Sequence, residues 1–360
     1  MKVFFDCRYT RIGHHDGISR FTAELVRAVA ERHEVTMLIS DLRQLNMLPS
    51  LPWHKIGSPT SVREPLIALS INALAPDIVF SPMQTMGSIG RRYRLVLTVH
   101  DLIYYHHPTP PRGLPAFVRA LWRIYHLWWW PQRFLLNRAD AVAAVSRTTA
   151  ELIAKHHLTK RPVFLVPNAS TFYGLDDGIP DRQEPHTKNL VYMGSFMPYK
   201  NVDTLVRALA ELPDYELHLM SAVTPTEQNR LRQLAPQARL VFHNGVSDEK
   251  YRQLLLDASA LVSASKDEGF GIPLVESMGV GTPVVVSDIP IFREIGGQAA
   301  KYFTADKPEE LAQRIRELEN PGVWAERSRA SRLQASTYTW QSSADQLLRA
   351  LTETVSTADR

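Results

Sequence analysis

Short apolar runs alternate with helix-length amphipathic stretches along most of the chain. In the first half the runs are "KVFFDC", "VTMLIS", "DIVFSP", "RLVLTVHDL", "AVAAVS" and "VFLVPN", with a helix predicted over about 19–32. Apolar runs of this length, spaced by helices, are the pattern of a parallel sheet buried on both faces. The alternation breaks at "ASTFYGLDDGIPDRQEPHT", a polar, turn-rich stretch that reads as a connection. It then resumes with "NLVYMG", a helix near 202–212, "ELHLMS", a helix near 226–234, "RLVFHNG", "ALVSAS", a helix after "GFGIP", "PVVVSD" and "AKYFT". After "YTW" a last helical stretch runs almost to the end. The expected fold class is α/β, with two doubly wound, Rossmann-like domains in tandem. Their predicted bounds are 1–170 and 188–340, with a linker over 171–187 and a closing helix over 341–360. Ligands of such sheets bind at the carboxyl ends of the strands, so the active site is expected in a cleft between two facing domains.

Composition narrows the class. A chain of 360 residues with 44% hydrophobic and 22% charged residues suits two soluble cores rather than a disordered segment. Cys7 is the only cysteine, which excludes an intrachain disulfide and a cysteine metal cluster and fits a reducing compartment. No uncharged apolar run reaches the roughly 20 residues of a membrane span, so a cytoplasmic protein is expected. Charge is uneven, however. Residues 1–180 hold 21 Lys/Arg against 13 Asp/Glu, whereas the remainder holds 20 against 24. Residues 91–138 hold eight arginines, one acid (Asp101) and four of the seven tryptophans. Arginine and tryptophan interleaved in this way suit an anionic membrane surface. They equally suit a helix packed on the core with its Arg heads snorkelling outward. Nucleic acid is not expected, because no nucleic-acid motif accompanies the charge. His106, His107, Arg119, Arg123, Trp128, Trp129 and Trp130 are the candidates for acceptor or membrane contact, at the inner face of the cell membrane.

The densest chemistry lies in "KDEGFGIPLVESMGVGTPVVVSD", Lys266 to Asp288. A strand ends, the chain turns, and Pro273 falls where the first turn of a helix accepts proline. Gly269 and Gly271 let the backbone approach a ligand, and the helix start offers free N–H groups to an anion such as phosphate. Glu268 precedes this helix and Glu276 lies one turn inside it, so the two acids are separated along a ligand rather than paired. Ionised carboxylates accept hydrogen bonds from sugar hydroxyls. A ligand with phosphates in the middle and hydroxyl-bearing rings at both ends, a nucleotide sugar, fits that spacing.

The run "SKDEGFGIPLVESMGVGTPVVVSDIPIFREIGG" closely resembles the signature of retaining glycosyltransferases of family 4, which have the two-domain GT-B architecture. Further resembling pieces follow in order over almost the whole chain: "DGISRF", "LTVHDLIYYHHP", "RADAVAAVSRTT", "VPNAS", "VYMGSFMPYKNVDTLVRAL", "FHNGVSDEKYRQLL" and "YTWQSSADQLL". The resemblance implies a closing helix that crosses back to the N-terminal domain. It also implies hexose transfer from a nucleoside-diphosphate sugar, mannose or similar, to an acceptor hydroxyl in glycan, polysaccharide or glycolipid assembly, with retention of the anomeric configuration.

Carried over residue by residue, the resemblance places Glu268 on the donor hexose. The segment Gly269, Phe270, Gly271, Ile272, Pro273 and Leu274 then lines sugar and phosphates, and Glu276 lies on the ribose. Lys200 would neutralise the departing diphosphate, and His100 would sit beside the transferred sugar. Gly17, Ser146, Arg147, Gly194 and Ser195 are implied donor contacts, as are Asn244, Gly245 and Val246 near the base. The family commonly has arginine directly after the glycine of "YMG", where this chain has Ser195. Some relatives have it just before the lysine, where this chain has Tyr199. Lys200 would then act alone or be assisted by Arg147 or Arg20. The implied mechanism is front-face, with the leaving phosphate oxygen taking the acceptor proton. The sequence contains no Asp-x-Asp, so neither metal nor cofactor is expected. A nucleotide-sugar epimerase of the same architecture and a catalytically weak nucleotide-sugar-binding protein are the alternatives. A nicotinamide dehydrogenase is disfavoured because position 274, where the glycine fingerprint needs a third glycine, is leucine.

Overall fold

The computed structural model describes residues 1–110, 115–174 and 182–356. The part of the expected linker at 175–181 lies outside the described residues. The chain forms two compact units, one of Met1–Ala169 with the segment from Trp340 onward and the other of Ser170–Thr339.

The first unit is built on a seven-stranded sheet: β1 (Val3–Asp6), β2 (Val35–Ile39), β3 (Trp53–Lys55), β4 (Ile78–Ser81), β5 (Arg94–Val99), β6 (Ala141–Ala144) and β7 (Val163–Leu165). Their order is β3-β2-β1-β4-β5-β6-β7, and every pair is parallel. The strands β1, β4 and β6 are buried at every position, which is why their sequences read as unbroken apolar runs rather than alternating ones. The order reverses direction between β1 and β4, the place where such sheets open a crevice beyond their carboxyl ends.

Asp16 caps the helix Gly17–Ala30 by accepting from the Ser19 N–H at 2.9 Å, and the helix buries Phe21, Leu25, Val26 and Val29. The closing helix, Trp340–Ser356, belongs to this unit and packs along Gly17–Ala30. The Phe21 and Trp340 rings lie 6.1 Å apart, and Arg32 Nε meets Asp345 at 2.7 Å.

The segment after β1 is fixed by a buried network. Arg8 donates to Asp6 (2.8 and 3.1 Å), to Glu64 (2.7 and 2.9 Å) and to the Gly57 carbonyl (3.0 Å). Asp6 also accepts from Ser81 Oγ at 3.1 Å and Glu64 from the Gly87 N–H at 3.2 Å. Fields from both carboxylates, and hydrogen bonds to them, oppose the desolvation of Arg8 and raise its pKa.

The second unit holds a six-stranded sheet: β8 (Asn189–Tyr192), β9 (Glu216–Leu219), β10 (Arg239–Phe242), β11 (Ala260–Ser263), β12 (Val284–Ser287) and β13 (Lys301–Phe303). The order is β10-β9-β8-β11-β12-β13, again all parallel. Its switch point lies between β8 and β11. One core cluster joins Leu217, Leu219 and Val262 of the sheet to Leu205, Ile315 and Trp324 of the helices. Thr224, Ser247 and Asn320 each cap a helix through the side-chain oxygen.

Candidate active site

The segments that leave β8 and β11 meet at the second unit's switch point. The Lys266 N–H donates to the Tyr199 carbonyl at 2.8 Å, holding the two loops together. Across that link the Lys200 ammonium forms a close ion pair with Glu268, whose same oxygen accepts from Ser265 Oγ at 2.9 Å. Both side chains of the pair are only 15% exposed, so water screens them weakly. Two residues 68 positions apart in sequence are therefore one charged unit at the strand ends. Ser265, which sequence reasoning passed over, orients Glu268 and is itself fully buried. Its only prior signal was its place three residues before the acid.

The helix after Glu268 runs Ile272–Gly279, with Pro273 in its first turn. Gly271 has φ 94°, and a Cβ there would lie 3.0 Å from the Phe292 ring, so both backbone and space ask for glycine. Phe270 is buried edge-on against Tyr338, with centroids 5.5 Å apart, and Leu274 is also buried. Glu276 lies in the second helical turn, 4% exposed. At the β8 end, a Cβ on Gly194 would fall 2.7 Å from the Tyr192 hydroxyl, which donates to the Ser195 carbonyl at 2.7 Å. The Ser195 residue is exposed, and Tyr199 lies with its ring 5.4 Å from the Lys200 ammonium. Beyond β10, Asn244 (φ 55°) and Gly245 (φ 105°) form a left-handed turn leading into Val246. Asn244 Oδ1 accepts there from the Val223 N–H at 3.3 Å. His243, just before the turn, pairs with His218 at 3.0 Å.

In the first unit His100 follows β5, and its Nε2 bonds the Pro82 carbonyl beyond β4 at 2.7 Å. Since a carbonyl only accepts, the proton is on Nε2 and Nδ1 is left as an acceptor. Burial drives the imidazole down to about 4, outweighing the Pro82 carbonyl and Asp16, which pull it up. His100 is thus neutral near pH 7, its ring edge-on to Phe21 with centroids 5.0 Å apart. Gly17 opens its helix next to the Asp16 cap, whose carboxylate also pairs with Arg11. Ser146 caps the helix Arg147–Lys155 by accepting from the Thr149 N–H at 3.0 Å, and Arg147 is its first residue. Tyr9 and Thr85 join the two loops of this unit's switch point at 2.9 Å.

The tryptophan-rich segment departs from the expectation. It is two helices, Ala116–Leu127 and Trp130–Asn137, interrupted where Trp128 is extended. Trp128 and Trp130 are each 67% exposed, beside exposed Phe117, Leu121, Ile124 and Phe134. Trp129 instead turns inward and stacks between Tyr105 (4.0 Å) and His156 (4.1 Å), so it is removed from the surface candidates. A break between adjacent residues sends their side chains to opposite sides, which a single helix would not. Arg119 and Arg123 are exposed on the first of these helices. His106 ends the short helix Ile103–His106, 6.5 Å from the Trp129 ring, and His107 follows it. Among the described residues no helix is long and apolar enough to cross a membrane.

Residues 180–336 match the family described as glycosyl transferases group 1, and residues 15–169 match glycosyltransferase family 4. The chain belongs to these family 4, group 1 glycosyltransferases. Similar proteins include the serotype-specific mannosyltransferase WbdA of Escherichia coli, 26% identical over 312 residues, covering 79% of this chain and 37% of WbdA. The O-antigen chain mannosyltransferase RfbU of Salmonella typhimurium is 27% identical over 228 residues, covering 62% of this chain and 60% of RfbU. The family 4 glycosyltransferase described here thus spans 37% to 60% of the length of these relatives. Its fold is GT-B. It superposes on sucrose-phosphate synthase from Thermosynechococcus elongatus with TM-score 0.72 at 19% identity, covering 98% of this chain and 99% of that one. For HepE of Anabaena in complex with UDP and glucose the values are 0.69 and 18%, again with 98% and 99% covered.

Proposed function

We propose that this glycosyltransferase moves a hexose of the mannose class from a nucleoside-diphosphate sugar to a hydroxyl of a glycan or lipid-linked acceptor, retaining the anomeric configuration and using no metal. The observation that carries the reading is the Lys200–Glu268 pair at the β8/β11 switch point, with the N-terminus of the Ile272–Gly279 helix directly after it. A donor entering there exchanges one ion pair for two better-matched contacts. Its diphosphate takes Lys200 and the helix N–H groups, and its hexose hydroxyls take Glu268. Glu276, inside the helix, is assigned to the ribose hydroxyls. As the bond from the anomeric carbon to the phosphate oxygen breaks, negative charge grows on that oxygen and Lys200 stabilises it. The same oxygen accepts the proton of the incoming acceptor hydroxyl while the new glycosidic bond forms on that face. His100, neutral and with its Nε2–H committed to Pro82, offers a fixed Nδ1 acceptor to a sugar hydroxyl and is not a general acid near pH 7.

Mannose is favoured because the similar curated proteins are named mannosyltransferases, one of them, from Mycobacterium tuberculosis, GDP-mannose-dependent. Incubating the protein with GDP-mannose and UDP-glucose in parallel, with a phosphate-linked mannoside acceptor, and reading product mass and anomeric coupling by NMR tests donor and stereochemistry together. Inversion would remove the front-face mechanism. Stabilisation by a donor without transfer would leave a nucleotide-sugar-binding protein, consistent with Ser195 and Tyr199 standing where relatives carry arginine.

The acceptor is assigned to an anionic membrane surface, met by the exposed apolar side chains of 117–134 with Arg119 and Arg123 among them. Sedimentation with phosphatidylglycerol vesicles is expected to fall in Trp128→Ser/Trp130→Ser and to persist in Trp129→Ala, which loses stability instead. Equal sedimentation of the wild type and the double variant would refute the assignment.

A further inference from the structure

At the amino ends of the first unit's strands lies a cavity of about 660 Å³ whose wall is dominated by arginine. Arg94 is the first residue of β5, Asp140 immediately precedes β6, and Arg161 comes just before β7. The cavity is therefore at the amino ends of the strands, whereas His100 follows β5 at its carboxyl end. With about 3.3 Å per residue, the six residues of β5 put the two about 20 Å apart.

Five guanidinium groups, those of Arg91, Arg92, Arg94, Arg138 and Arg161, face two carboxylates there, Asp77 and Asp140. Asp140 is already committed to Arg91 (2.5 Å) and Arg94 (3.1 Å), as well as to the Leu95 N–H (2.8 Å). Asp77 accepts from the Lys2 N–H at 2.6 Å. Two of the remaining arginines are held by neutral groups. Arg138 Nε donates to Ser88 Oγ at 2.9 Å, and Arg161 donates to the Asn137 carbonyl at 3.2 and 3.3 Å. Arg91 also donates to the Arg138 carbonyl at 3.0 Å, which fixes two of the walls to each other. Neutral anchors orient a guanidinium without neutralising it, so a concave, pre-positioned excess of positive charge faces the cavity. Guanidinium forks match phosphate oxygens two at a time, and a cluster of them repels itself unless an anion is present. The rim continues into the exposed apolar surface, since the Arg138 guanidinium lies 5.4 Å over the half-exposed Phe134 ring.

We propose that this cavity is a second anion site, for a phosphate monoester or diphosphate group, separate from the loops assigned to the donor. Its position next to Phe134 allows the group to come from a membrane lipid as well as from solution.

Calorimetric titration of the full chain with inorganic pyrophosphate at low salt tests it. Two classes of binding are expected, one lost in Lys200→Met and the other weakened about tenfold or more in Arg138→Gln/Arg161→Gln, as loss of charge-assisted hydrogen bonds requires. The exposed pair Arg92→Gln/Arg161→Gln gives the same direction should Arg138→Gln disturb folding, and an unchanged unfolding midpoint certifies either variant. Sedimentation with phosphatidylcholine vesicles, with and without phosphatidic acid, separates the sources. A fall in the arginine variants specific to phosphatidic acid assigns a lipid headgroup, whereas weakened pyrophosphate binding with unchanged sedimentation assigns a soluble phosphate. Pyrophosphate binding that Lys200→Met abolishes entirely, or that both arginine variants leave within twofold of wild type, overturns the proposal.

Discussion

Replacing Arg8 with methionine tests how the segment after β1 of the first unit is held. The side chains of Arg8 and Asp6 are fully buried and that of Glu64 is 10% exposed, and the guanidinium makes five hydrogen bonds to them and to Gly57. Methionine keeps most of the stem's packing but leaves two buried carboxylates, with Ser81 Oγ, the backbone N–H of residue 8 and the Gly87 N–H as the partners that remain. Removing one member of a buried ion pair costs about 3–5 kcal/mol, because the other charge stays desolvated. With a urea m-value of about 2 kcal/mol/M, the unfolding midpoint of this unit falls by about 1.5–2.5 M. Tryptophan emission isolates that unit, since six of the seven tryptophans lie in it and Trp324 alone in the other. The triple variant Arg8→Met/Asp6→Asn/Glu64→Gln removes the stranded charges with their partner and is expected to recover most of the loss. A shift below about 0.5 M in Arg8→Met would show that the carboxylates shed their charge or reach water on losing it, and the reasoning from burial would fail.

Lys200→Met is expected to lower kcat by about 100–1000-fold, the effect of losing one preorganised charge contact to a developing oxyanion, with a smaller change in KM. A kcat within about threefold of wild type in a transfer assay would remove Lys200 from the chemistry. His100 adds pH dependence. Its folded value of about 4 lies below the roughly 6.5 of an unfolded histidine. As pH falls between those values the unfolded chain takes the proton first, so stability present above about 6.5 is progressively lost towards 4. His100→Asn should flatten the slope of the unfolding midpoint across that window. Identical slopes in the two proteins would contradict the buried neutral imidazole.

Most strands were legible from the sequence because those inside each sheet are buried on two faces, so they appear as short solid apolar runs such as "KVFFDC" and "PVVVSD", whereas β3, exposed at all three positions, leaves no such run. Helix ends were less so. The helix expected from about 19 begins at Gly17, because "HHDG" reads as a turn until Asp16 is seen capping Ser19. Local structure was legible where neighbours in sequence share a turn, as in the loop and helix that carry Glu268 through Glu276. The Lys200–Glu268 contact and the Arg8–Glu64 pair span 68 and 56 residues, and only the strand order brings their members together. The inward turn of Trp129 was hidden for a different reason: three consecutive tryptophans carry no periodicity from which to assign a face.

The helix Trp340–Ser356 lies on Gly17–Ala30, within a unit whose other residues all come from the first 169. During vectorial synthesis, of these two units the one begun first is therefore completed second. The second unit has all its strands once residue 339 has left the ribosome, while the first waits with the face beside Phe21 uncovered. At about 5–20 residues per second, translating residues 170–339 takes roughly 10–30 s. For that interval the nascent chain presents an unfinished apolar surface to whatever chaperones or neighbouring chains are at hand, and the turns of Trp340–Ser356 are the ones that close it.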